Sequence, residues 1–162
     1  MEAILHALDQ LIEVHRALLE WSERKKDAIV HNRVEELTQI TNKESRLAKR
    51  LEELEAERVE AVNAYMRSKN MYVTAAISIS TLIRFVVRME DKQALTERQQ
   101  ELVRLIEELK RANDTNRQLI QQSLAFINYS LDLLVGPDDD AVYHHPQQQQ
   151  TYQPNRMFDR KA

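Results

Sequence analysis

The five histidines are the side chains best suited to metal binding or general acid–base work, and their neighbours argue against both roles. A carboxylate-bridged di-iron site in a helical bundle needs Glu-x-x-His pairs facing inward. Three residues before His6, His15 and His31 stand Ala3, Ile12 and Ala28, so that spacing fails each time. His15, on an apolar face, reads as a hydrogen-bonded core histidine. His144 and His145 are adjacent, and two imidazoles alone make a poor metal site. The chain has no cysteine, which removes thiol nucleophiles, thiolate metal sites and disulfides, and fits a reducing compartment. Its single glycine, Gly136, excludes a P-loop and a dinucleotide-binding fingerprint. No catalytic residue, metal or cofactor is expected, and the chain reads as a non-enzyme.

The polar residues with a definite place are those interrupting apolar seams: Glu44, Arg58, Asn113 and Asn116. A buried asparagine in a coiled coil costs stability but fixes register and partner number. The two asparagines therefore read as register devices, with His15, Glu44 and Arg58 as their natural partners. Glu44 and Arg58 admit a second account, in which both snorkel from an imperfectly buried edge.

The elements that must position these residues follow from what the chain lacks. No proline precedes Pro137. Glycine and proline cost a helix interior about 1 and 3 kcal/mol relative to alanine, and most tight turns need them. Residues 1–135 are therefore expected to form an all-α body, an elongated antiparallel helical bundle or coiled-coil hairpin. Residues 136–162 carry all three prolines, the acidic run Asp138–Asp140 and the glutamine run Gln147–Gln150, and read as a disordered tail.

Four helices are predicted. The first runs from Glu2 to about Ile29, with Ile4, Leu5, Leu8, Leu11, Ile12, Leu18 and Leu19 on one face. Asn32 with Glu35 reads as an N-cap opening the second helix. Its seam keeps heptad spacing through Leu37, Ile40, Glu44, Leu47, Leu51, Leu54, Arg58, Ala61 and Tyr65. Thr74 reads as the cap of a short apolar helix through Leu82 and Val86, and Asp91 or Thr96 as the start of the last. That helix has a seam of Leu102, Ile106, Leu109, Asn113, Asn116, Ile120, Ser123, Ile127 and Leu134, and stops at Gly136-Pro137.

Charged residues make up 30% of the 162, yet the net charge is only -3, with both signs interspersed. Nucleic-acid binders carry a basic stripe, and none stands out here. The most apolar segment, Met71 to Val87, includes Arg84 and falls short of about 20 apolar residues, so no membrane insertion is expected. Two classes remain: a helical chaperone or adaptor that holds another protein's helix, and a coiled-coil structural element of the cytoplasm or membrane surface. Leu124, Phe126, Ile127, Leu131 and Leu134 form the widest apolar stripe for gripping a partner helix. The same stripe reads equally as core against the first two helices.

The second helix, Glu44-x-x-Leu47-x-x-x-Leu51-x-x-Leu54-Glu55-x-x-Arg58, resembles the FlgN-type flagellar export chaperones. So do Asn113-x-x-Asn116-x-x-Leu119-Ile120-x-x-Ser123-Leu124-x-Phe126-Ile127 and the short segment Ser80-Thr81-Leu82-Ile83. The resemblance implies a cytoplasmic chaperone of the flagellar type III export system. It would bind helical ends of the hook-filament junction (hook-associated) proteins, prevent their premature assembly, and deliver them to the cytoplasmic domain of the membrane export gate. The family often has a tyrosine followed by glycine after the last helix. Here the candidates for gate contact are Tyr143 and Tyr152, neither followed by glycine, and position favours Tyr143. Whether the free protein is a monomer or a homodimer is left open by the sequence.

Overall fold

A computed structural model describes residues 1–71 and 77–135. All regular structure among them is helical: α1 (Glu2–Val30), α2 (Val34–Ser68), α3 (Ile79–Phe85) and α4 (Met89–Val135). Two compact units divide the chain, Met1–Leu124 and Ala125–Ala162.

In the first unit, α1 and α2 pack as an antiparallel hairpin. The turn between them departs from the sequence expectation. Asn32 does not cap α2; it lies in the left-handed region at φ 52° and closes α1 instead. Its N–H donates to the Ile29 carbonyl and that of Arg33 to the Ala28 carbonyl, at 3.1 and 2.9 Å. This is the paired closure that normally recruits glycine. α2 ends the same way: Asn70 sits at φ 56°, with its N–H on Arg67 and that of Met71 on Met66. A chain with almost no glycine uses asparagine, whose short polar side chain tolerates the left-handed conformation. α2 then begins after Arg33 with no side-chain cap, and Glu35 and Glu36 face its N-terminal dipole.

The α2 seam also differs from a strict heptad. Ile40, Leu54 and Arg58 are buried as expected, but beyond them Val62 and Met66 are buried where Ala61 and Tyr65 were expected. Steps of four from Arg58 rotate the buried face away from the heptad line, at about 100° per residue. The rotated face joins Leu82 and Val86 beside α3 and Leu95 of α4, with Ile4, Leu8 and Leu11 of α1.

Ser78 caps α3, its Oγ accepting from the Thr81 N–H at 3.2 Å; Thr74 lies outside the described residues. α4 starts at Met89, before both expected positions. Asp91 falls in its first turn, and Thr96 is already interior, its hydroxyl donating to the Lys92 carbonyl.

α4 runs parallel to α1. Arg98 grips Asp9 with two hydrogen bonds, Arg16 meets Glu101, and Ser22 meets Asn113 and Asn116. These partners lie 85–94 residues apart, and both chains ascend together. By that offset the end of α1 at Val30 is level with the last residues of the first unit. The buried face of α4 is Leu95, Leu105 and Asn116, while Ile106 and Ile120 of the expected seam are exposed.

Candidate binding surface

α1, α2 and α4 of the first unit converge on the polar seam residues. Asn116 is 3% exposed and Ser22 fully buried. Asn116 Nδ2 donates to the Ser22 carbonyl at 2.8 Å and to Ser22 Oγ at 3.1 Å, while the Ser22 hydroxyl donates to Asn113 Oδ1 at 3.2 Å. Ser22 is thus the partner of both asparagines, in place of the expected His15, Glu44 or Arg58. His15 is buried and bonds through Nδ1 to the Leu11 carbonyl at 2.7 Å.

Glu44 accepts from Lys25 Nζ at 2.6 Å, tying α2 to α1. Arg58 is buried and forks onto Glu55 of its own helix, with a further bond to the Ile77 carbonyl at 3.3 Å. The structure therefore separates the four register candidates: Asn113 and Asn116 join α4 to α1, Glu44 joins α2 to α1, and Arg58 tethers the chain entering α3. Where short polar residues replace large apolar ones, close packing fails. A groove of about 610 Å³ opens there, lined by Lys25, Thr41, Glu44, Asn113, Asn116 and Ile120 among others. Leu18, Ala48 and Leu109 give it apolar walls beside these polar groups; among the described residues no group of three or more His, Asp or Glu side chains converges.

The apolar stripe of α4 is exposed along its whole length: Leu124 54%, Phe126 71%, Ile127 48%, Leu131 52% and Leu134 82%. Tyr129, Leu133 and Val135, not singled out in the sequence, are exposed as well. A signal for them was present: between Arg117 and Val135 Asp132 is the one charged residue, in a chain where 30% are charged.

The stripe is really two. At about 100° per residue, Leu124, Ile127, Leu131, Leu134 and Val135 share one sector, whereas Phe126 lies roughly 140° from Leu131, beside Tyr129 and Leu133. Asn128 and Asp132 divide the sectors on one side, and Ser130, bonded to the Phe126 carbonyl at 2.8 Å, on the other. Exposed apolar surface of this kind is suited to packing against another apolar helix. Tyr143 and Tyr152 lie outside the described residues. No helix among the described residues is long and apolar enough to cross a membrane.

Residues 1–151 match the family model described as FlgN protein. The chain is also similar to the uncharacterized protein YvyG of Bacillus subtilis strain 168. The two are 28% identical over 164 positions, covering 99% of this chain and 98% of YvyG. No solved structure matches.

Proposed function

We propose that this chain, which belongs to the FlgN family, is a cytoplasmic flagellar export chaperone. It holds the helical ends of hook-filament junction proteins and delivers them to the type III export gate. The observation that carries this reading is the exposed end of α4, where Asp132 is the one charge after Arg117 and Phe126, Leu131 and Leu134 are more than half exposed. Apolar surface in such concentration marks an interaction site. A client helix laid on it loses the surface through which it would otherwise assemble, so one contact both binds and protects.

The tail serves handover. Tyr143 falls within the residues matched to the family and Tyr152 just beyond them, which favours Tyr143 as the gate contact. Release needs no nucleotide, because competition at the gate suffices to displace a modest interface.

The test is recovery of partners from a flagellated lysate on immobilised full-length chain, followed by in vitro binding. Hook-associated proteins are expected to bind the chain directly, and Phe126→Gln or Leu131→Gln to release them while leaving the melting midpoint in place. Deleting everything after Gly136 should preserve client binding and abolish capture of the gate's cytoplasmic domain. Direct binding to vesicles or filaments, with none to junction proteins, would overturn the reading in favour of a structural coiled coil.

A further inference from the structure

We infer that a cleft between α2 and α4, floored by α1, binds a neutral aromatic ring carrying one O–H or N–H group, of the phenol or indole class, and that His15 accepts its hydrogen bond. The cleft lies wholly within the first unit, and its occupancy is independent of the chaperone reading.

His15 supplies the polar anchor. It is 8% exposed, and its one hydrogen bond among the described residues joins Nδ1 to the Leu11 carbonyl at 2.7 Å. A carbonyl only accepts, so Nδ1 carries the proton. In the neutral ring Nε2 is then a bare acceptor, on the edge turned away from its own helix. Buried polar atoms are paired as a rule; Nε2 has no such partner among the described residues.

The cleft measures about 380 Å³, in the range of small-ligand sites. His15 and Leu11 of α1, Leu51 and Arg58 of α2, and Leu102 and Ile106 of α4 line it. Leu51, Leu102 and Ile106 are seam positions expected in the core. Here the first two are half-buried and Ile106 is 48% exposed, because the space between them stands open.

The lining selects the occupant. Aliphatic walls call for an apolar body, and one buried acceptor calls for one donor, since any further unpaired polar group would be costly. Arg58 bonds to Glu55 and to the Ile77 carbonyl through its N–H groups, all in the guanidinium plane, so its faces remain free to stack on a ring. Phenol and indole rings combine an apolar body with a single donor at the edge. A carboxylate would meet Glu55 and offers Nε2 no donor.

The full chain is titrated with p-cresol, 3-methylindole and toluene at about pH 8, above the ordinary histidine range, while nitrogen NMR follows His15 Nε2. Both donor-bearing rings should bind saturably and shift the Nε2 signal; toluene, which has no donor, should leave it in place. His15→Leu should weaken p-cresol about tenfold, the worth of one hydrogen bond, and change toluene binding less than about twofold. Ile106→Trp, at the exposed rim, should block both ligands, which tests the cleft even where the His15 variant folds poorly. A free small molecule and a partner protein's side chain share this chemistry. A short tyrosine peptide that binds more tightly than p-cresol assigns the ring to a protein, and a weaker one to a free molecule. The inference is overturned if neither ring binds saturably, if toluene shifts Nε2 as p-cresol does, or if p-cresol binds the His15→Leu or Ile106→Trp variant unchanged.

Discussion

Asn116 of α4 donates to the main-chain carbonyl of Ser22 on α1 at 2.8 Å, across 94 residues of chain. A carbonyl can only accept, so this bond fixes the amide orientation. It leaves Asn116 Oδ1 buried without a protein partner. The pair therefore sets the axial position of α4 at a cost. Sliding α4 by one turn, about 5.4 Å, would break every bond it makes to Ser22.

Asn116→Leu should raise stability by about 1 kcal/mol, because the desolvated acceptor disappears and an apolar side chain fills its place. Specificity should suffer: backbone amide signals of α4 around Asn113 should split or broaden as alternative registers become populated. A clear loss of stability in urea titrations would show that the hydrogen bonds outweigh the orphaned oxygen.

Exposed and buried apolar positions should separate cleanly. Leu54, 1% exposed in the α1–α2 core, should cost about 2–5 kcal/mol on truncation to alanine. Phe126→Gln and Leu131→Gln should stay within about 0.5 kcal/mol. Leu47 is only half-buried, which makes Leu54 the sharper core reference. Thermal melts by circular dichroism decide; a Phe126 variant that melts like Leu54→Ala would make the distal face core.

Arg58→Met should retain the packing of the long stem while losing the bond to the Ile77 carbonyl. Stability should fall by about 1 kcal/mol, with the loss concentrated in α3. Hydrogen exchange at Leu82 and Ile83 should speed up while exchange at Leu54 changes little. Uniform acceleration would assign Arg58 to the global core instead.

Glu101 accepts from Arg104 on its own helix and from Arg16 on α1, and these bonds lower its pKa to about 2 from an ordinary value of 4.5. A depressed folded-state pKa contributes stability above the unfolded value and loses it as pH falls through the folded one. The melting difference between the parent and Glu101→Gln should thus be constant above pH 4.5 and close between pH 4.5 and about 2. Arg16→Gln should narrow that window, since it removes one donor; an unchanged window would leave Arg104 as the sole cause.

Much of this protein was legible in the chain itself. The confinement of Gly136 and all prolines to the C-terminal part pointed to long helices within residues 1–135, as α1, α2 and α4 are, because helix interiors exclude both residues through local backbone energetics. The limits of α1 and the end of α4 followed within a residue, and the seam polar residues were visible as breaks in an apolar period. Tertiary structure decided the rest, where local signals are degenerate. Asn32 suits an N-cap and a left-handed C-terminal closure equally, and only the hydrogen bonds to Ala28 and Ile29 chose between them. The heptad of α2 continues on paper through Ala61 and Tyr65. The apolar surface at α3 and the start of α4 drew Val62 and Met66 inward instead, since burial rewards whichever face meets a partner. Helical spacing puts Ser22 on the buried face of α1, but nothing in the sequence says what it meets there. Its pairing with Asn113 and Asn116 exists only because two helices distant in the chain run parallel at a particular offset, a property of the packed chain and not of either segment.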